Sequence, residues 1–129
     1  MTAAKLLKTR DSAHKPAVFD EDHLKQMTLG DRSLEREVLE IFARQAALML
    51  GRIAGAEPAF AAAAAHTLKG SARGIGAWRV AVAAEELEKA AADAGGEPAL
   101  RAAIAELEAA SAEVCAEIAA RLRERADGL

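Results

Sequence analysis

Ala61-Ala62-Ala63-Ala64-Ala65-His66-Thr67-Leu68-Lys69-Gly70-Ser71-Ala72-Arg73-Gly74-Ile75 is the stretch that decides how this chain folds. Its residues Ala61, Ala64, Ala65, Leu68, Ala72 and Ile75 recur at the three- and four-residue spacing of one helix face. At about 100° per residue, Lys69, Gly70 and Arg73 share the side of His66, whereas Leu68 lies roughly 200° around from it. The helix therefore buries its back and turns an imidazole, a cation and a bare stretch of backbone toward solvent. A glycine inside a helix costs on the order of 1 kcal/mol relative to alanine, and alanine is what this chain uses nearly everywhere else. Gly70 thus implies that space is needed beside His66, for a macromolecule or a bulky anion, with Lys69 as the countercharge.

Further helices flank this one. Asp20 is placed to cap a short helix that stops at Gly30. Asp31 or Ser33 then caps a long helix reaching about Ala54. It carries two apolar bands, one of Phe42, Ala46, Met49, Leu50 and Ile53, the other of Leu34, Val38, Ile41 and Gln45. Such a helix is either packed on two sides or keeps one band for a partner. The short first helix is the candidate cover, with Leu24 and Met27 over one end and a rim left open.

Pro58 suits the first turn of the third helix, which carries His66. Gly74-Ile75-Gly76 marks its end or a tight bend; no strand precedes it and no P-loop lysine follows, so it is not a phosphate-cradling loop. A fourth helix runs over about residues 78–92, with Val80, Ala84, Leu87 and Ala91 inside, and Gly95-Gly96 ends it. The fifth begins at Pro98, carries Leu100, Ile104, Leu107, Ser111, Val114, Ile118 and Leu122 inside, and fades over residues 121–125. Four long helices with short connections predict an all-α fold, an antiparallel up-and-down four-helix bundle with a short extra N-terminal helix.

Composition agrees with this. The 129 residues suffice for one domain. They are 52% hydrophobic and only 3% aromatic, which argues for small and aliphatic side chains on close-packed helices and against a sheet. Residues 1–17 hold four basic groups and one acid and read as a flexible basic leader ahead of a domain at 18–127. The net charge of −3 leaves −6 on the remainder, which disfavours nucleic acid as a partner. No secretory signal and no run of about 20 apolar residues are present, so the expected location is cytoplasmic, without a membrane partner. Cys115 has no cysteine to pair with and reads as a buried, inert thiol of a reducing compartment.

An exposed helical histidine can be a nucleophile, a general base, a metal ligand or an ordinary polar residue. No serine, cysteine or carboxylate is read as placed to build a triad around His66, since Ser71 points elsewhere. No second histidine lies three or four residues away; His14 falls in the leader and His23 on the short first helix, both read as solvated, so a metal site is not expected. Phosphoryl acceptance fits the parts. Neutral imidazole, the major form near pH 7 for a pKa of about 6.5, has one unprotonated nitrogen free for in-line attack on an acyl phosphate. The product carries a charge of about −2, and Lys69 is one turn away to balance it. There is no nucleotide-binding fingerprint and no acidic cluster for Mg²⁺ near the motif, so a partner must bring that chemistry.

Ala65 through Ala72, with Ile75-Gly76-Ala77 and Leu87-Glu88 downstream, resembles the His-x-Leu-Lys-Gly-Ser signature of the histidine-containing phosphotransfer (HPt) domains of multistep phosphorelays. Leu39-Glu40-Ile41-Phe42 through Gln45 is similar to the family's preceding helix, and the resemblance covers about residues 18–125. It implies the same bundle, with His66 as phosphoacceptor, Lys69 beside it and Gln45 orienting the imidazole. On the residues themselves, the expected docking face lies around Gly70, Arg73, Leu34, Val38 and Leu24. The implied partners are response-regulator receiver domains, and a hybrid histidine kinase upstream. The receiver would bring a phosphorylated aspartate and Mg²⁺, leaving this chain without a cofactor of its own. The expectation is a monomeric phosphoryl carrier, not an enzyme; the alternative is a phosphate-independent helical adaptor.

Overall fold

Alanine-rich and aliphatic stripes at helical spacing can be buried only by packing helix on helix. The computed structural model describes residues 18–93 and 96–127, and all regular structure among them is helical. Helix α1 spans Glu21–Met27, α2 Arg32–Ile53, α3 Pro58–Ile75, α4 Trp78–Ala92 and α5 Glu97–Asp127. The basic leader read at residues 1–17 lies outside the described residues.

The boundaries follow local chemistry. Asp20 and Asp31 cap α1 and α2, their carboxylates accepting the N–H groups of His23 at 3.1 Å and Leu34 at 3.0 Å. Helix α1 ends before Leu29, because Leu29 and Gly30 both take left-handed backbone angles and the Gly30 N–H turns back to the Lys25 carbonyl at 3.0 Å. Pro58 opens α3 in its first turn. Gly74 stays inside that helix, and the bend comes at Gly76, whose φ of 77° is the left-handed cap that glycine adopts without strain.

Helices α2, α3, α4 and α5 each pack on the next, and α5 returns to α2, which closes a four-helix ring. All six residues of the α3 stripe are buried. They meet Leu39, Phe42 and Ile53 of α2, Val80 and Leu87 of α4, and Leu107, Val114 and Ile118 of α5 in one core. Each buried Leu or Ile contributes about 1.5–3 kcal/mol. Because this stripe fixes the rotation of α3 about its axis, it also fixes that His66 faces outward.

The short helix does not cover the second band of α2. It packs on α3, and three contacts hold it. The Asp20 N–H donates to the Gly76 carbonyl at 2.9 Å; Trp78 Nε1 donates to Asp20 Oδ2 at 3.0 Å; and Phe19, buried, lies under the Arg121 guanidinium at 4.9 Å. The hydrogen bonds from Trp78 and the His23 amide hold the Asp20 carboxyl below its usual range. Arg121 in turn reaches Glu21 of α1 and Glu117 of its own helix. Leu34 and Ile41 remain 37% and 49% exposed, so of the two readings of this band it is the open one that the structure shows. One expectation changes. Leu24, expected on the docking face, is fully buried, because it is the residue that α1 inserts into the core.

Candidate functional site

His66 stands on the outer face of α3 with its side chain 69% exposed. The imidazole has a partner from another helix: Glu88 of α4 places Oε2 2.8 Å from Nδ1. A carboxylate can only accept, so Nδ1 carries the proton in the neutral ring and Nε2 keeps its lone pair. The expectation that no carboxylate is placed for a triad around His66 is corrected for the acid alone: Glu88 is out of reach along α3 and arrives across the α3–α4 interface.

The same carboxylate takes Lys69. Its ammonium lies 2.6 Å from Glu88 Oε1, with the Lys69 side chain only 14% exposed. That oxygen is enclosed, and the attraction of the Lys69 ammonium is what offsets its burial. Burial pushes Glu88 up, but the contacts with Lys69 and His66 outweigh it and hold the carboxyl below its usual value. Lys69 is thus a cation already engaged, one residue removed from the imidazole through a shared acid. One turn further along α3, Arg73 pairs with Glu85 of α4 at 3.3 Å and is more than half exposed.

Gly70 opens the surface beside this group. A Cβ built on it meets nothing within 4 Å, so its missing side chain does not serve packing inside the domain. On the other flank of His66, Ala63 and Thr67 line a groove of about 480 Å³ with Phe60 of α3 and Met49 and Arg52 of α2. Glu88 and Lys69 hence mark the α4 side of His66, and the groove marks its α2 side.

A second band of α2 stays at the surface. Leu34, Ile41 and Leu48, spaced by seven residues, are 37%, 49% and 53% exposed, and Val38 and Gln45 between them are half-buried. Gln45 makes no side-chain hydrogen bond among the described residues, and the imidazole partner is Glu88 in its place. Leu48 and Phe60 were not singled out from sequence, although Leu48 continues the spacing of Leu34 and Ile41. Met27 and Leu29 at the end of α1 are also exposed. His23, read as solvated, rests its ring 5.0 Å from that of Trp78. Among the described residues no three His, Cys, Asp or Glu side chains converge as metal ligands.

The described residues thus form a four-helix bundle that displays His66 at mid-helix with Nδ1 engaged by Glu88. The sequence profile of the Hpt domain matches residues 34–127. The chain belongs to the Hpt domain family, whose members are phosphoryl carriers of phosphorelay signalling. Its fold is similar to an X-ray structure from rice described as a histidine-containing phosphotransfer protein, with a TM-score of 0.74, 19% identity and 95% of each chain covered. No curated protein matches the chain significantly. Among the described residues no helix is long and apolar enough to cross a membrane.

Proposed function

We propose that this chain carries a phosphoryl group on Nε2 of His66, taking it from the phosphorylated aspartate of one receiver domain and delivering it to another. The observation that carries this reading is the Glu88 carboxylate on Nδ1 of an imidazole that is otherwise open to solvent. The contact selects the nucleophilic nitrogen and fixes the ring, so less orientational freedom is lost on reaching the transition state.

The remaining parts take matching roles. Nε2 attacks the acyl phosphate in line, and the aspartate leaves with the electron pair of the broken P–O bond. Lys69 offsets the charge arriving on the phosphoryl oxygens. Gly70 leaves room for the rim of the receiver, and Leu34, Ile41 and Leu48 offer it an apolar surface beside polar His66. Mg²⁺ comes with the receiver, and the cytoplasm is where such partners would be met. Gln45 and Val38 border that surface, and Arg73 is its outer cation.

The test is incubation with a panel of receiver domains carrying radiolabelled acyl phosphate. Acid-labile label should appear on the wild-type chain and be absent from His66→Gln, whose helical circular dichroism should be unchanged. Label persisting on that variant would exclude His66 as the acceptor. Receiver binding without any transfer would favour the adaptor reading.

A further inference from the structure

We propose that Glu88 sets how long His66 keeps its phosphoryl group, by holding the Nδ1 proton in place after transfer so that the phosphorylated ring stays in its cationic form. The proposal rests on the phosphoryl-carrier reading of His66 and concerns the fate of the product rather than its formation.

The bonding dictates the starting point. When the Nε2 lone pair forms the N–P bond, the ring already bears a proton on Nδ1, so the immediate product is a phosphorylated imidazolium. It can lose that proton to water and become a neutral phosphoimidazole. Only from the protonated form does N–P cleavage release neutral imidazole, with the bonding pair returning to Nε2; from the neutral form the leaving group would be imidazolate, a far poorer one. Whatever holds the Nδ1 proton therefore speeds the departure of the phosphoryl group to a receiver or to water.

Glu88 is suited to hold that proton and not to remove it. Its Oε2 is 2.8 Å from Nδ1, and the Lys69 contact with Oε1 favours its ionised form. The arriving dianion competes for Lys69. If Lys69 turns to the phosphoryl oxygens, the enclosed Oε1 loses its cation, and a cationic ring on Oε2 becomes the group that balances the Glu88 charge. The two cations thus exchange duties, Lys69 moving from Glu88 to phosphate and the imidazolium remaining on Glu88.

The other charged groups around the ring do not duplicate this. On α3, Arg73 is engaged by Glu85. On α4, Glu85 also faces Lys89, which contacts Glu86 as well. From α2, Arg52 lines the groove beside Thr67 and is a cation. Helix α1 meets the bundle at Gly76, ten residues or about 15 Å along the helix axis from His66.

The experiment loads the intact chain with phosphoramidate, a small-molecule donor that needs no receiver, and follows the ³¹P signal that is missing from His66→Gln. Glu88→Gln keeps the shape and a hydrogen-bond acceptor on Nδ1 but removes the charge. Loss of one opposing charge at this distance changes the protonated fraction about tenfold. Phosphoryl loss at pH 8 should accordingly be about tenfold slower in Glu88→Gln than in the wild type, with the two rates converging at pH 5, where both rings are protonated. Superimposable rate-against-pH profiles would overturn the proposal. If Glu88→Gln did not fold, Glu88→Asp, which keeps the charge at shorter reach, should give an intermediate profile, and a wild-type profile would count against the idea. A chain that shows this profile yet takes no phosphate from any receiver would instead disqualify the relay reading.

Discussion

Glu88 grips His66 from one helix away, its Oε2 2.8 Å from Nδ1, while its second oxygen lies 2.6 Å from Lys69. The acid thereby ties the reactive ring of α3 to α4, and the site is a three-residue unit in which no member can be altered alone without consequence for the other two.

Acid should reveal the strength of that tie. The folded-state pKa of Glu88 is lowered, so the stability it contributes is full above the ordinary glutamate value of 4.5 and is lost as pH falls through the lowered folded value. Glu88→Gln should be less stable than the wild type by about 1 kcal/mol at pH 7, and the gap should close toward pH 3. Urea denaturation at pH 7, 5 and 3 measures this; a gap that is constant with pH would show that the ionised carboxylate is not what stabilises.

Lys69→Ala should affect both transfer and stability. With its side chain only 14% exposed and set against an enclosed oxygen, removal leaves Glu88 Oε1 without its cation, at a cost of about 1–2 kcal/mol. Transfer from a receiver should slow as well, and Lys69→Arg should recover most of the stability. Thermal melts alongside single-turnover transfer separate the two effects, and an unchanged melting temperature in Lys69→Ala would contradict the burial argument.

Gly70 offers the opposite balance. Since a Cβ there touches nothing and alanine is the better helix former, Gly70→Ala should stabilise the domain by about 0.5–1 kcal/mol. Gly70→Gln, at similar stability to the wild type, should weaken receiver binding by crowding Nε2. Affinity by calorimetry is the deciding quantity; wild-type affinity in Gly70→Gln would mean that the open space serves something else.

For Gly76→Ala a loss of about 2 kcal/mol is expected. Its φ is 77°, and a Cβ would lie 3.0 Å from both the backbone oxygen and the Cβ of Asp20. Because the neighbouring Trp78 hydrogen-bonds to Asp20 and is the sole tryptophan of the chain, displacement of α1 should shift its fluorescence toward that of a solvated indole. Unperturbed emission together with an unchanged melt would show that the turn tolerates a side chain.

Much of the fold was legible along the chain because helix periodicity, caps and breakers are local. The stripe from Ala61 to Ile75 is buried throughout, Asp20 caps as read and Asp31 is the cap of the two candidates Asp31 and Ser33, and α4 covers the residues assigned to it. The outward face of His66 follows from the same periodicity, since burying Leu68 leaves the ring nowhere else to point. What the sequence could not determine depends on how helices are rotated and stacked against one another. Leu24 and Leu34 are both leucines near a helix start, and only packing decided that the first fills the core and the second stays at the surface. Glu88 is twenty-two residues from His66, and no spacing along one helix could bring the two together. Tertiary structure decided that Glu88, and not Gln45, meets the imidazole, because the turn at Gly76 folds α4 back alongside α3 and lays its acidic face against the Lys69 side of the histidine.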